Sequence, residues 1–362
     1  MIAIKTEKVQ DMMNKAIKIC SSESESPLTS LVEVKVEGGY LHITTTDTVI
    51  NFRIAEKVDS EENMRVVVDA KLLTSLVNKI TTPEIRFHIN ENSLIVEGNG
   101  VYYIQIRLDD SGDVITFPDI KEVSGEGIDI DFKELNKRLE IAKSSIPTLF
   151  DAKEMNNYYL ASNIITSDVF KISSVPNIEP LKNMELFIER TLGNAFIDLG
   201  LEKGKLFYDK ETNILTILDT NYTIQSVIGR GIDIYPLNGI MDMISSSYAY
   251  NAEINKNELL NLLDRALLFV GDYDKNGINL TFKSDRLTVT SVNAAVKEDI
   301  KYGEANVDGL VEFNALVDIK NLKDQLDVLP EEKVIMYFGD NERAIKMVQK
   351  DIIQVSAILE ED

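Results

Sequence analysis

Residues able to carry out catalytic chemistry are scarce in this chain of 362 residues. It contains two histidines, one cysteine and no tryptophan. His42 and His88 lie in stretches that alternate apolar and polar residues, a pattern that predicts strands, and ordinary strand histidines explain them better than a catalytic pair. A zinc site needs a cluster of Cys and His ligands, which the sequence lacks. We therefore expect no active site, no metal and no cofactor.

The motifs disfavour two further enzyme classes. The phosphate-binding pattern G-x-x-x-x-G-K-[ST] is absent, and G-N-G at 98–100, G-E-G at 125–127 and G-R-G at 229–231 are typical of turns. The 60 Asp and Glu residues are too many to single out a glycosidase pair, and a chain without tryptophan is poorly suited to a sugar-stacking cleft. A carboxylate-based hydrolase remains only as a weak alternative.

The sequence predicts a cytoplasmic protein. No run of about 18 apolar residues is present, so we expect no membrane span. The N-terminal M-I-A-I-K-T-E-K becomes charged at Glu7, where a signal peptide would continue with apolar residues. Cys20 has no second cysteine to pair with and falls on the apolar stripe of the first predicted helix. A buried thiol in a reducing compartment is the simplest interpretation.

The chain repeats one pattern three times. L-H-I-T-T-T-D ends at Asp47, I-I-T-S-D ends at Asp168 and L-T-V-T-S-V-N ends at Asn293, so the endpoints are 121 and 125 residues apart. A period of this length exceeds that of solenoid repeats and is long enough for each copy to own a core.

A second signature keeps almost the same offsets. V-V-V-D-A-K-L-L carries Asp69, L-F-I-E-R-T-L carries Glu189 and V-E-F-N-A-L carries Asn314, at spacings of 120 and 125 residues. Each copy reads as strand, helix, strands, helix, strands, which predicts an α+β fold with two helices packed on antiparallel sheets in each domain. We expect three similar domains over residues 1–121, 122–247 and 248–362.

Two windows of helical periodicity occur in each repeat. They cover residues 7–19, 70–80, 131–145, 185–198, 256–268 and 315–327. Together they hold fourteen Lys or Arg and thirteen Asp or Glu, whereas the whole chain has 38 and 60 and a formal charge of −22. The cations expected opposite the apolar stripes are Lys8, Lys15, Lys18, Lys71, Lys133, Lys137, Arg190, Arg265 and Lys320.

This charge distribution has two interpretations. Amphipathic helices carry Lys on solvated faces in any protein. Alternatively, an acidic chain with near-neutral helices repels polyanions over most of its surface and tolerates one along its helices. A non-catalytic acidic β-rich assembly, or a protein that mimics DNA, is the main alternative to a DNA-binding function.

The repeated motifs resemble those of the bacterial DNA polymerase III beta subunit, the sliding clamp. T-T-D, T-S-D and S-V-N are similar to strand ends of that family, V-V-V-D-A-K-L-L and V-E-F-N-A-L to the starts of its second helices, and F-P-D-I at 117–120 to the end of its first domain. The resemblance covers the whole chain. Each motif is short, and their order and spacing carry the match.

The resemblance implies a DNA-clamp fold in which two head-to-tail subunits close a ring of six domains. The ring would encircle double-stranded DNA without reading its sequence, with the helices and their cations lining the hole. The implied partners are a second copy of the chain, a DNA polymerase, a clamp loader and other clients that carry clamp-binding peptides. We expect a cytoplasmic, nucleoid-associated protein with no membrane partner. The interface strands implied by the resemblance contain Tyr103, Gln105, Ile278 and Leu280.

The resemblance also implies a peptide-binding cleft between the second and third domains. The family's T-D-G-H-R-L segment corresponds here to S-D-V-F-K-I. The family's basic C-terminal end corresponds to V-S-A-I-L-E-E-D, with Glu360 and Glu361 at the tip. An apolar pocket is therefore expected to persist with altered specificity. The expected cleft residues are Ser167, Val169, Phe170, Lys171, Ile172, Val317, Val355, Ala357, Ile358 and Leu359.

Overall fold

Two compact units make up the chain in the computed structural model, which describes residues 1–20, 26–60, 62–147, 155–271, 276–339 and 343–360. Unit 1 consists of residues 1–133 and 191–228, and unit 2 of residues 134–190 and 229–362. The second sequence repeat contributes to both units. No helix in the described ranges has the length and apolar character that crossing a membrane requires.

Unit 1 contains two antiparallel sheets. The four-stranded sheet has the order β1 (Ile2–Lys5), β6 (Glu84–Asn90), β7 (Ser93–Glu97) and β8 (Val101–Gln105). The eight-stranded sheet has the order β5 (Met64–Asp69), β2 (Leu31–Glu37), β3 (Tyr40–Thr46), β4 (Ile50–Lys57), β16 (Tyr222–Val227), β15 (Ile214–Leu218), β14 (Lys203–Asp209) and β9 (Ile128–Asp131).

Unit 2 also contains two antiparallel sheets. The nine-stranded sheet has the order β13 (Leu186–Glu189), β10 (Asn157–Leu160), β11 (Asn163–Ser167), β12 (Lys171–Pro176), β25 (Ile352–Ala357), β24 (Ala344–Gln349), β23 (Lys333–Phe338), β17 (Tyr250–Asn255) and β21 (Ala305–Asn306). The four-stranded sheet has the order β20 (Lys297–Lys301), β19 (Arg286–Ser291), β18 (Gly277–Phe282) and β22 (Phe313–Asp318).

The α-helices of the described residues carry one apolar face each. The helices are α1 (Thr6–Ala16), α2 (Ala70–Val77), α3 (Phe132–Lys143), α4 (Arg190–Asp198), α5 (Leu237–Ser245), α6 (Lys256–Leu267) and α7 (Ile319–Asp327). Six of them lie in the windows of helical periodicity, and α5 does not. The α+β class with helices on antiparallel sheets is thus confirmed.

The first repeated signature marks a turn held by side chains. The Asp47 carboxylate accepts hydrogen bonds from the backbone N–H groups of Val49 and Ile50, at 2.9 and 2.6 Å. Asp168 accepts in the same way from Phe170 and Lys171, at 3.0 and 2.6 Å. In the third repeat the Asn293 amide oxygen accepts from the N–H of Ala295 at 3.0 Å. Asp and Asn recur because both offer an oxygen to the turn.

Threonines just before these turns tie the strands to the first helix of the repeat. The Thr45 hydroxyl donates to the carbonyl of Ala16 at 3.3 Å, and the Thr166 hydroxyl donates to the carbonyl of Ala142 at 2.6 Å. Both carbonyls belong to the last turn of a helix, where backbone acceptors have no partner within the helix. The repeated T-T-D and T-S-D therefore satisfy a helix end and shape a turn together.

The helix start that the second signature predicts in the third repeat is wrong by four residues. Asp69 is the N-cap of α2 and accepts from the N–H of Leu72 at 2.7 Å. The corresponding cap of α7 is Asp318, which accepts from Lys320 and Asn321 at 2.8 and 2.9 Å. Asn314 lies inside β22 opposite Thr281. Asn314 follows the apolar Phe313 and Asp318 follows the apolar Val317, and only Asp318 begins the helix.

Equivalent strands join the repeats within each large sheet. The last strand of the second repeat, β16, pairs with the fourth strand of the first, β4, with Ser226 opposite Ile50. The last strand of the third repeat, β25, pairs with the fourth strand of the second, β12, with Ser356 opposite Lys171. One fourth strand and one last strand do not take part in these two joints. They are β20, the fourth strand of the third repeat, and β8, the last strand of the first repeat.

Candidate functional site

Most of the cations predicted on the helices are solvent-exposed. Lys8, Lys18, Lys71, Lys133, Lys137, Arg265 and Lys320 have exposed side chains, and Lys15 is half-buried. Lys71 on α2 and Lys133 on α3 form no ion pair with another residue of the described ranges. Arg190, at the start of α4, is half-buried, and its guanidinium donates to the carbonyl of Pro147 at 2.7 Å. It is the least available of the predicted cations.

Several of these cations already have a carboxylate beside them. Lys8 lies 3.1 Å from Glu56, and Lys15 lies 2.8 Å from Asp11 one helical turn away. Lys137 lies 3.6 Å from Glu134 on α3. The helical surfaces therefore carry local ion pairs as well as exposed cations.

Arg265 on α6 is held by an acid on a neighbouring strand. Its guanidinium donates through Nε to the Glu298 carboxylate of β20 at 2.9 Å. This hydrogen bond lowers the pKa of Glu298 and raises the pKa of Arg265. Lys18 instead donates to the backbone carbonyl of Asp198. Lys18 and Arg265 therefore attract a polyanion only weakly, because each cation already has a hydrogen-bond partner before any phosphate approaches.

The residues of the predicted cleft come together in unit 2. The N–H of Ala357 donates to the carbonyl of Phe170 at 2.8 Å. The next two residues of the tail are fixed in turn, because Ile358 donates to the carbonyl of Arg343 and Leu359 to that of Leu316, at 2.8 and 2.7 Å. The 167–172 hairpin and the C-terminal tail therefore form one surface. Glu360 is exposed, and Glu361 lies outside the described residues.

Exposure divides the predicted cleft residues into a tip and a floor. Val169 and Phe170 form the tip, 66% and 54% exposed at the end of the β11–β12 hairpin. Ser167, Ile172 and Val355 are buried below it. Val317 is fully buried in the core of β18, β19 and β22, and Ile358 packs against that core. Val317 therefore supports the cleft and does not face it.

The Lys171 side chain is buried and paired. Its ammonium lies 3.4 Å from the Asp168 carboxylate and 3.9 Å from that of Asp324 on α7. Burial raises the pKa of Asp168, and the charge of Lys171 acts in the opposite direction. A buried cation needs such partners, so Lys171 holds the hairpin against α7 and offers little charge to a ligand.

Two elements of this surface were not predicted from the sequence. Gln325 of α7 is fully buried, and its amide nitrogen lies 3.1 and 3.0 Å from the carbonyls of Ile172 and Val355. The sequence did contain a signal for it, because Gln325 is a polar residue on the apolar stripe of the helical window 315–327. The second element is α5, which packs against β12 and β25. Pro236, Gly239 and three consecutive serines at 245–247 hide its helical period.

The interface strand expected in the third repeat is wrong. Ile278 and Leu280 lie in β18, which has β19 on one side and β22 on the other, and both side chains are fully buried. The strand at the edge of that sheet is β20, with sequence K-E-D-I-K. β18 is central because a strand pairs with each of its two edges, whereas the charged residues of β20 suit an edge.

In the first repeat, Tyr103 and Gln105 lie in β8, at the edge of the four-stranded sheet of unit 1. Tyr103 is 66% exposed, and Val101 and Tyr102 are exposed as well. In the described part of the chain no further strand pairs with the outer side of β8 or of β20. Beside the β19–β20 turn, Leu268, Phe269 and Val292 are exposed, and the Asn293 amide donates to the carbonyl of Phe269 at 3.1 Å.

Comparison with known proteins agrees with this architecture. The family profile described as DNA polymerase III beta subunit, N-terminal domain, matches residues 1–110. The solved structure of the beta subunit from Thermotoga maritima is similar over 100% of this chain and 99% of its own, with a TM-score of 0.84 and 13% identity. The chain has the sliding-clamp fold. The resemblance noted from the sequence is thus confirmed at the level of the fold.

Other solved clamps are similar to the same degree. The beta chain from Streptococcus pneumoniae covers 100% of both chains with a TM-score of 0.85 and 16% identity. The DNA polymerase sliding clamp from Bacillus subtilis covers 100% of this chain and 99% of its own, with a TM-score of 0.84 and 16% identity. No curated protein matches the sequence. The fold is therefore shared while the sequence has diverged widely.

Proposed function

We propose that the chain is a DNA sliding clamp, a non-catalytic processivity factor that encircles double-stranded DNA and tethers a replicative polymerase and other clients. The observation that carries the proposal is the pair of unmatched strands β8 and β20. The joint between repeats forms twice within the chain, as β4–β16 and β12–β25, and leaves one strand of each kind over. Two copies arranged head to tail would pair β20 of each with β8 of the other.

Pairing of this type closes the assembly. An interface built from two different surfaces generates a ring when the rotation closes, and closure removes the exposed sheet edges. The exposed Tyr103 on β8, and Leu268 and Phe269 beside β20, supply apolar area for the contact. A homodimer of three-domain chains, with domains 1–121, 122–247 and 248–362, is the assembly we propose.

Contact with DNA would come from the exposed cations of the helices. Phosphate contacts position a protein on DNA without specifying sequence, and weak, partly neutralised cations permit sliding. The helical cations are partly neutralised in this way, because Lys8, Lys15, Lys137 and Arg265 each form an ion pair with a carboxylate. The strongly acidic remainder of the chain would keep DNA from other surfaces. A nucleoid-associated location in the cytoplasm follows from the same proposal.

Topological binding gives the proposal a direct test. The protein is incubated at micromolar concentration with nicked circular DNA, a clamp loader and ATP, isolated with the DNA by gel filtration, and the circle is then cut once by a restriction enzyme. A sliding ring stays on the circle and leaves after linearisation. Protein that never co-elutes with circular DNA, or that remains bound equally to linear DNA, would contradict the proposal. A DNA mimic would instead bind DNA-binding proteins and no DNA of either form.

The client site is proposed at the tip and floor defined above. An exposed apolar tip at Val169 and Phe170 beside the tail Ala357–Leu359 suits a short peptide with two or three large apolar residues. A polymerase, a clamp loader and other clients would bind there. With Lys171 buried between two aspartates and Glu360 exposed at the tail, we expect acidic peptides to bind less well than neutral ones.

A further inference from the structure

Arg53 on β4 is a half-buried cation that lacks an acceptor. Its guanidinium forms no ion pair and no hydrogen bond with any other residue that the structure describes. A guanidinium carries five N–H donors and keeps its charge at physiological pH. Cations that are withdrawn from water normally face a carboxylate or several carbonyl oxygens. Arg53 therefore has donors to offer to a group from outside the described residues.

The pairing of the strands identifies the neighbours of Arg53. Thr44 of β3 and Thr223 of β16 lie directly opposite it, one on each side. Side chains in such positions share one face of the sheet, with Cβ atoms about 4.5–5.5 Å apart. His42 precedes Thr44 by two residues and shares that face as well. This face is the one opposite α1, because the next residue, Thr45, donates to a carbonyl of α1.

Thr44 and His42 each bring a buried polar atom to this face. Thr44 is 1% exposed, and its hydroxyl has no hydrogen-bond partner in the described part of the chain. The same holds for the Nδ1 atom of the half-buried His42. Buried polar atoms are almost always hydrogen-bonded. Two such atoms beside the guanidinium of Arg53 indicate a place for a ligand with several oxygens.

The carboxylates of this face already have cations beside them. Glu33 is buried, and its carboxylate lies 2.7 Å from the guanidinium of Arg65 on β5. Glu37 lies 2.6 Å from the ammonium of Lys35. Each acid is thus matched with a cation of its own, and Arg53 is the cation left over.

The charges around His42 produce a positive field there. Burial lowers the pKa of His42, and the charges of Arg53 and Lys35 lower it further. The carboxylates of Glu33 and Glu37 act in the opposite direction without cancelling the shift. An anion bound on this face would offset both cations and favour the protonated imidazole.

We propose that Arg53, His42 and Thr44 form a binding site for a phosphate group on the face of the eight-stranded sheet opposite α1. The planar guanidinium of Arg53 donates to two phosphate oxygens, and the Thr44 hydroxyl and the His42 imidazole donate to the others. A dianion suits the site better than a carboxylate, because protonated His42 and Arg53 together supply two charges. Inorganic phosphate and a nucleotide share this chemistry. The site belongs to unit 1 and the proposed cleft to unit 2, so the inference goes beyond the client site.

Histidine NMR tests the site, because the chain has only two histidines. The full chain is labelled with ¹³C at the imidazole Cε1, and inorganic phosphate, deoxyadenosine monophosphate or acetate replaces chloride at constant pH and ionic strength. We expect phosphate to shift the His42 signal saturably and to leave that of His88, on β6 in the other sheet of unit 1, unchanged. Arg53→Gln should weaken the apparent affinity about tenfold, the effect of losing one charge-assisted interaction.

Two further variants make the result decisive. Arg86→Gln removes the same charge from an exposed position on the strand of His88 and should leave the phosphate affinity at His42 unchanged. Thr44→Val keeps the shape of the side chain and should weaken binding several-fold, which also covers the case in which Arg53→Gln does not fold. Tighter binding of deoxyadenosine monophosphate than of inorganic phosphate would identify a nucleotide as the ligand, and equal binding would identify the phosphate group alone.

Other outcomes would overturn the inference. They are the absence of a saturable shift at His42, an equal response to acetate, and equal losses of affinity from Arg53→Gln and Arg86→Gln. The first means that no anion binds on this face. The second means that the site does not select a dianion, and the third means that only the net charge of the protein matters.

Discussion

The ammonium of Lys8 lies 3.1 Å from the carboxylate of Glu56, so a cation predicted to meet DNA is already paired within unit 1. Lys15 has the same relationship with Asp11 at 2.8 Å. Exposed pairs of this kind contribute little to stability. Their main effect is on the charge that α1 offers to an approaching phosphate.

Removing these two acids should strengthen contact with DNA. We expect Asp11→Asn together with Glu56→Gln to lengthen retention on circular DNA and to steepen its salt dependence, by up to about 0.9 in the log–log slope for each cation released. Retention times from 50 to 200 mM salt provide the measurement. Glu331→Gln together with Glu179→Gln releases Lys350 and Lys182 outside the helical windows and changes the net charge by the same two units, so it serves as the matched control. Equal effects from the control would mean that α1 does not face DNA.

Changes in β8 should alter the native mass without altering the fold. Tyr103→Asp places a charge on an exposed edge strand, so we expect the mass in solution to fall from about twice 40.7 kDa toward 40.7 kDa while the far-ultraviolet spectrum stays the same. Ile278→Val, in a central strand of the four-stranded sheet of unit 2, should leave the dimer intact and cost about 0.5–1.5 kcal/mol of stability. A dimer that survives Tyr103→Asp would argue against pairing through β8.

The start of α7 gives a stability prediction with an internal control. Asp318→Ala removes the side chain that accepts from Lys320 and Asn321, so the free energy of unfolding should fall by about 1 kcal/mol. Asn314→Ala should change it by no more than about 0.5 kcal/mol, because the Asn314 side chain is exposed on β22. Urea unfolding of the two variants decides between the positions. A larger loss at Asn314 would restore the register predicted from the sequence.

The sequence predicted features that repeat and missed those that occur once. Asp47 and Asp168 were recognisable because the same side chain shapes the same turn twice. α5 has no counterpart in the repeats, and Pro236, Gly239 and the following serines conceal its period. The interface strand was misassigned because an apolar strand was expected at an interface. In this fold the apolar β18 is central, and the charged β20 is at the edge, where Lys and Glu discourage aggregation.

The acid of the first turn should make stability depend on pH. Burial raises the pKa of Asp47, so the native state holds its proton more strongly than the unfolded chain does. Ionised Asp47 therefore costs stability at neutral pH, and this cost disappears below the unfolded pKa of about 3.9. Asp47→Asn keeps the acceptor, as Asn293 does in the third repeat. We expect it to raise the free energy of unfolding at pH 7 and to give a shrinking gain as the pH falls toward 4.

Two further variants control this experiment, which is read by urea unfolding at each pH. Asp47→Ala removes the acceptor for Val49 and Ile50 and should destabilise at every pH. Asp168→Asn should not raise the free energy of unfolding at neutral pH. This change removes one of the two carboxylates that neutralise the buried Lys171 ammonium. A gain from Asp47→Asn that does not vary with pH would show that ionisation is not its cause.

The tip of the cleft combines strain with exposure. Val169 has φ of 81°, a conformation that a β-branched residue rarely adopts, and its side chain is 66% exposed. Val169→Gly removes strain of about 1–3 kcal/mol and adds a backbone entropy cost of about 0.5–1 kcal/mol. We therefore expect a net increase in the free energy of unfolding. If the tip contacts clients, the same change should weaken binding of a labelled peptide with one Gln and two large apolar residues.

Thr48→Gly is the matched control for the tip. Thr48 occupies the same turn position in the first repeat, with φ of 78° and an exposed side chain. It should gain stability in the same way while leaving peptide affinity unchanged, because it lies in unit 1 and outside the proposed cleft. Fluorescence titration of wild type and both variants, alongside urea unfolding, separates the two effects. Equal peptide affinity for wild type and Val169→Gly would mean that clients do not contact the tip, and that its strain has some other cause.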